Sequence, residues 1–117
     1  MINIETYKEE QIDYLIVEGD VDASSSIHLD EALTKLADGD DIKAILVDGS
    51  KLDYISSAGL GVFMSYIDVF KSKDIQLIIF GLSNKVFNVF QILGLDQLLN
   101  ITKDKEAAKE KLHEVQS

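Results

Sequence analysis

The segment Asp53-Tyr54-Ile55-Ser56-Ser57-Ala58-Gly59-Leu60-Gly61 places two hydroxyls and two glycines at the head of the most apolar stretch of the chain, residues 58–70. A serine at the end of a loop caps the helix that follows, and the next residue lies at the positive helix end beside free backbone N–H groups. Ser56 is the expected cap and Ser57 the first helical residue, so Ser57 offers a hydroxyl where an added phosphate would find N–H groups to hold it. Gly59 and Gly61 each cost up to about 1 kcal/mol against Ala inside an exposed helix. Either something approaches this helix end closely, or the glycines only let the helix sit tight on its own sheet.

Other chemistries fit less well. A nucleophile elbow needs Gly two residues before and after its Ser, and Ile55 stands two before Ser57. The imidazoles, His28 on the flank of a helix and His113 near the end of the chain, are expected to be surface residues outside any Ser-His-carboxylate set. Gly49-Ser50-Lys51 lacks the spaced glycines of a P-loop, and Met64 stands where a dinucleotide-binding fingerprint needs its third Gly. The remaining candidates are Asp20, Asp22 and Asp48, carboxylates expected at strand ends. Such a set could hold Mg²⁺ and take a phosphoryl group on Asp48, as receiver domains do, or bind a divalent cation weakly.

Composition narrows the choice. In 117 residues there are 21 Asp and Glu against 11 cations, all of them Lys, for a formal charge of -10. Such a surface repels phosphates, and without Arg there is no guanidinium fork for a guanine edge, so nucleic acid is not an expected partner. The sequence lacks Cys, which excludes disulfides, thiolate metal sites and a Cys nucleophile, and suits a cytoplasmic protein. Apolar runs of four or five residues are far below the roughly 20 that span a bilayer, so no membrane insertion is expected. Acidic residues throughout the first twenty positions argue against a signal peptide.

The elements that must position Ser57 follow from periodicity. Ile2, Ile4 and Thr6 alternate with polar residues, and a turn at residues 8–11 leads into Ile12 to Glu18, predicting an antiparallel hairpin. Residues 19–24 read as a loop, with Ser24, Ser25 and Ser26 as cap candidates for a helix whose inner stripe is Leu29, Ala32, Leu33 and Leu36, ended by Gly39. The continuous apolar runs 44–47 and 77–80 predict parallel strands covered on both faces. Between them residues 58–70 predict a mostly buried helix with a narrow wet stripe of Ser65, Asp68 and Ser72. Ser83 caps a third helix, Gly94 and Leu95 stop it, residues 98–101 form a short last strand, and residues 104–115 form a surface helix with Ala108, Leu112 and Val115 inward. The expected fold is one α/β domain over residues 1–117, frayed from about residue 113. Its mixed sheet has four to five strands with about four helices, in the order β-β-α-β-α-β-α-(β)-α.

Across almost its whole length the chain resembles the STAS domain, the fold of bacterial anti-sigma factor antagonists and of sulphate-transporter tails. Gly19-Asp20-Val21-Asp22 is similar to the family's turn after the second strand, and Ile45 to Asp48 with Leu52 to Ile55 to its central strand and the approach to the phosphorylation loop. Ser56-Ser57-Ala58-Gly59-Leu60-Gly61 is similar to the loop itself, with Ser56 where Asp is common, and Phe90 to Leu95 to the segment before the last strand. The resemblance implies a regulator with no catalytic activity and no cofactor. Its partner would be an anti-sigma factor that is also a serine kinase of the histidine-kinase-like ATPase class, with a phosphatase to reset it. Carried over, Ser57 is the phosphoacceptor and Ser56 the second choice.

Ile27 falls off the inner stripe of the first helix, and Phe87 widens the apolar face of the third. The expected partner surface is therefore Asp22, Ile27, Asp53, Ser56, Ser57, Gly59, Gly61 and Phe87, with Asp22 and Asp53 as an acidic rim. Two other functions compete with the switch: a STAS subunit that binds constitutively in a transport or scaffold complex, and a Mg²⁺-dependent aspartyl phosphoacceptor using Asp48.

Overall fold

The computed structural model describes residues 2–39 and 41–116, the side chains of residues 115 and 116 excepted. Val115, expected in the inward stripe of the last helix, therefore lies outside the described side chains. The chain opens with the expected hairpin, β1 (Ile2–Glu9) and β2 (Ile12–Val21). Glu10 and Gln11 between them both take positive φ, +54° and +67°, the conformation that lets a two-residue turn follow the twist of its strands. The chain continues through α1 (Ser26–Asp38), β3 (Ala44–Asp48), β4 (Leu52–Ile55), α2 (Ser57–Ser72), β5 (Gln76–Phe80) and α3 (Asn84–Ile92). A short 3₁₀ turn (Leu95–Gln97), β6 (Asn100–Thr102) and α4 (Lys105–Gln116) complete it.

The sheet runs β1-β2-β3-β5-β6, antiparallel at the hairpin and parallel elsewhere, with β4 beside β2. Among the described residues it has six strands, against the four to five that the sequence predicts, because residues 52–55 are a strand and no loop. Residues 19–21, also expected as loop, extend β2. One long strand thus serves two neighbours in succession: Asp13 to Ile16 pair with β3, and Gly19, Asp20 and Val21 pair with β4, with a register shift between Gly19 and Asp20. Gly19 makes the shift with φ +95°, a conformation that favours glycine.

Alternate residues of the strands feed two separate cores. Leu15, Val17, Ile45, Val47 and Ile79 pack under α1, α2 and α3, while Ile12, Tyr14, Leu46, Ile78 and Phe80 pack under α4. The Phe63 and Phe90 rings, 6.1 Å apart, join α2 to α3. Tyr66 of α2 donates to Asp30 Oδ1 at 2.8 Å and also meets Thr34, locking α2 to α1. The expectation of a mostly buried α2 is corrected. Gly59, Leu60, Phe63 and Phe70 are buried, but Gly61, Met64 and Val69 join Ser65, Asp68 and Ser72 on an exposed face, because α2 lies in an outer layer with one side on the sheet and the other in water.

Candidate functional site

Two strand ends and one helix start meet at Ser57. The Ser56 N–H donates to Val21 O at 2.8 Å, tying the exit of β4 to the exit of β2. Ser56 has extended backbone, and its Oγ accepts from Gly59 N at 3.3 Å while its carbonyl accepts from Leu60 N at 3.0 Å. It is the N-cap of α2, as expected. Helix geometry leaves the Ser57 and Ala58 N–H groups without intrahelical acceptors. Ser56 is half-buried with its hydroxyl engaged, whereas Ser57 is exposed and, among the described residues, its hydroxyl makes no hydrogen bond.

The neighbouring loop is organised by one carboxylate. Asp22 Oδ1 accepts from Ser25 N at 2.8 Å, Ser24 N at 3.0 Å and Ser24 Oγ at 2.8 Å, with Ser25 Oγ at 3.0 Å. Ser25 holds the N-cap position of α1 but its side chain caps nothing. The serine cap expected there is replaced by an acidic turn in which Asp22 gathers the free N–H groups and its carbonyl accepts from Ser26 N. The Ser25 N–H above all, then the two hydroxyls, hold the Asp22 carboxyl down to about 2. A carboxyl whose folded pKa is depressed adds stability that is fully present above its unfolded value near 4 and is lost as pH falls through the folded value near 2. Carboxyl NMR should therefore show Asp22 titrating near 2, and Ser25→Ala should move the midpoint upward. A midpoint near 4 in the wild type would show that the turn does not form.

The two glycines separate in role. Gly59 is buried, and a Cβ there would lie 2.7 Å from Val21 Cγ1 and 2.8 Å from Ile55 Cγ1. What lies closest to Gly59 is thus the protein's own sheet. Gly61 is exposed, with nothing within 4 Å of an added Cβ. Asp22 and Asp53 are exposed, Ile27 is 59% exposed one turn beyond the Asp22 loop, and Phe87 is half-buried on α3, which packs against β4. Sequence reasoning missed Tyr54 and Met64, 46% and 49% exposed. Tyr54 flanks Asp53 on β4, and Met64 follows Gly61 on the outer face of α2. For Met64 the available signal was its i+3 spacing from Gly61.

The acidic trio does not assemble. Asp48 pairs with Ile16, four residues before Asp20 along β2, a separation on the order of 13 Å at strand rise. Asp48 Oδ1 is turned back on its own loop, accepting from Ser50 N at 2.9 Å and Ser50 Oγ at 2.7 Å. Among the described residues no three carboxylates or imidazoles gather as a metal ion needs, and no helix is long and apolar enough to cross a membrane. His28 and His113 are exposed on α1 and α4. A cavity of about 790 Å³, bordered by Ile12, Ala44, Gln76 and Lys73, opens at the opposite end of the strands from Ser57.

Comparison with known proteins places this geometry in context. A family model described as STAS domain matches residues 3–108. The anti-sigma-B factor antagonist of Staphylococcus aureus is 30% identical over 105 residues, covering 90% of this chain and 96% of that protein. Among solved structures, an anti-sigma factor antagonist from Mycobacterium paratuberculosis superposes with a TM-score of 0.85 at 16% identity, over 97% of this chain and 95% of that one. The Bacillus cell fate determinant SpoIIAA in its phosphorylated form gives 0.68 at 15%, over 94% and 98%.

Proposed function

The chain belongs to the STAS domain family, and from that premise we propose that it is an anti-sigma factor antagonist switched by phosphorylation of Ser57. Unmodified, it binds an ATPase-type anti-sigma factor that is also its serine kinase, of the histidine-kinase-like class. Phosphorylated, it is released, until a phosphatase restores the hydroxyl. The reading places the switch in the cytoplasm and gives the chain itself no catalytic step.

The observation that carries this reading is the state of the two adjacent hydroxyls. Ser56 is held as the cap of α2, so modifying it would cost the helix a capping bond, whereas Ser57 is exposed and unbonded. A phosphate on Ser57 adds about -1.5 to -2 charges beside the free N–H groups of the helix start, which favours the fold staying intact while its surface changes. The partner surface would be Asp22, Ile27, Asp53, Ser56, Ser57 and Gly61, with Phe87 at its edge and Tyr54 and Met64 added. The relatives' names support the anti-sigma role, and a STAS-fold protein described in a phosphorylated form supports the switch.

Incubation with the cognate kinase and ATP, followed by mass spectrometry of peptides, tests it. One acid-stable phosphate on Ser57, abolished by Ser57→Ala and retained in Ser56→Ala, is expected. Acid-labile phosphate on Asp48, or none on any residue, would overturn the proposal.

A further inference from the structure

The two faces of the sheet are covered unequally. On one, α1, α2 and α3 are bound to the sheet and to each other through a large apolar cluster, the Tyr66–Asp30 bond and the Lys73 Nζ to Ala37 O bond of 2.7 Å. On the other, α4 is the one helix among the described residues that covers Ile12, Tyr14, Leu46, Ile78 and Phe80, and the described side chains it buries there are Ala108 and Leu112. Its ties to the hairpin include an ion pair from Lys105 to Glu9 at 3.4 Å and another from Lys109 to Glu10 at 3.6 Å, both to exposed carboxylates. Exposed pairs of this kind contribute little. Lys105 also stands over the Tyr14 ring, its Nζ 4.7 Å from the centroid.

Closure of α4 leaves a polar group without a partner. Tyr14 is stacked on Tyr7, fully buried, and among the described residues its hydroxyl makes no hydrogen bond. A buried donor left unbonded disfavours the state that buries it. The helix, by contrast, carries its own start: Asp104 Oδ1 accepts from Ala107 N at 2.8 Å and Asp104 O from Ala108 N at 3.0 Å. With Asp104 moving as part of the helix, Lys103 is the hinge to β6 and the long 3.3 Å bond from Thr102 Oγ1 to Asp104 O is the side-chain bond across it, so the helix can move without unwinding its cap or the strand before it.

We propose that α4 is a detachable cover, which lifts from the sheet as one unit while the rest of the domain stays folded and so uncovers an apolar strip that runs from Phe80 and Ile78 across Leu46 to Tyr14. The lift frees the Tyr14 hydroxyl to bond water and leaves Ser57, at the start of α2 on the other face of the sheet, untouched.

Because the chain contains no Cys, a single introduced thiol reports its own exposure. Ile45 and Leu46 are adjacent on β3, both fully buried, and face α1–α3 and α4 respectively. Under native conditions with excess thiol reagent, the Leu46→Cys variant should react at least about tenfold faster than Ile45→Cys, a difference of about 1.4 kcal/mol in opening. Hydrogen exchange on the unaltered chain removes any dependence on the substitutions. Amides of residues 108–112 should share one opening rate, at least about tenfold faster than the amides of β3. Equal labelling of the two thiols, or exchange of residues 108–112 in step with β3, would overturn the proposal.

Discussion

A Ser57→Asp variant is expected to bind the anti-sigma partner roughly a hundredfold more weakly than wild type, with an unchanged circular dichroism spectrum. Ser57 and Asp22 each lie one residue beyond the Ser56 N to Val21 O bond that ties the two strand ends together. Asp22 keeps its charge down to about pH 2, so a second carboxylate at position 57 always meets a rim that is already anionic. Two unit charges about 6 Å apart at an effective dielectric near 20 repel by roughly 3 kcal/mol, about a hundredfold in affinity, when the partner presents an acidic group to this rim. The protein has a net charge of -10 and no Arg to absorb the addition. Within the monomer the new charge sits at the positive end of α2, which offsets the local repulsion and leaves the fold in place. Titration calorimetry of Ser57→Asp and Ser57→Ala against the partner separates charge from the loss of the hydroxyl. Wild-type affinity in Ser57→Asp would remove the charge mechanism, and weak binding by both variants would assign the effect to the hydroxyl.

The parts of this site that were legible in the sequence are those set by neighbours along the chain. Ser56 and Ser83 announce their helices because a cap acts on a backbone N–H three residues away, and both make that bond. Gly94 likewise shows its positive φ through the stop it imposes on α3. Strand β4 was not legible, because its inward residues Leu52 and Ile55 bracket only Asp53 and Tyr54, too short a run to show a period. Its pairing depends on a shift at Gly19, more than thirty residues earlier. For the same reason the exposure of α2 was misjudged. Apolar side chains such as Met64 and Val69 carry no sign of which helix face has a neighbour.

The glycines of Gly59-Leu60-Gly61 should respond to substitution in opposite directions. At Gly59 an added methyl meets Val21 Cγ1 at 2.7 Å and Ile55 Cγ1 at 2.8 Å, atoms of stiff β-branched side chains on two adjacent strands, with Ile55 Cδ1 at 3.2 Å. Neither strand can retreat without disturbing the Ser56–Val21 bond. Gly59→Ala therefore incurs an overpacking cost of about 1–3 kcal/mol, which outweighs the gain of up to about 1 kcal/mol from better helix propensity. Gly61→Ala has open space around its methyl and keeps only the gain. At about 4 °C per kcal/mol for a domain of this size, thermal unfolding should show Gly59→Ala melting several degrees below wild type and Gly61→Ala a few degrees above. A higher Tm for Gly59→Ala would mean that the helix start is not seated on the sheet as described. A test of Gly61 in the proposed partner surface takes a larger side chain. Gly61→Tyr should fold, because its ring projects into solvent from the first turns of α2, yet lose at least about tenfold in partner affinity by standing beside Ser57 where the partner must dock. A stable Gly61→Tyr variant that binds with wild-type affinity would remove the outer face of α2 from the interface and confine recognition to the Asp22 loop and β4.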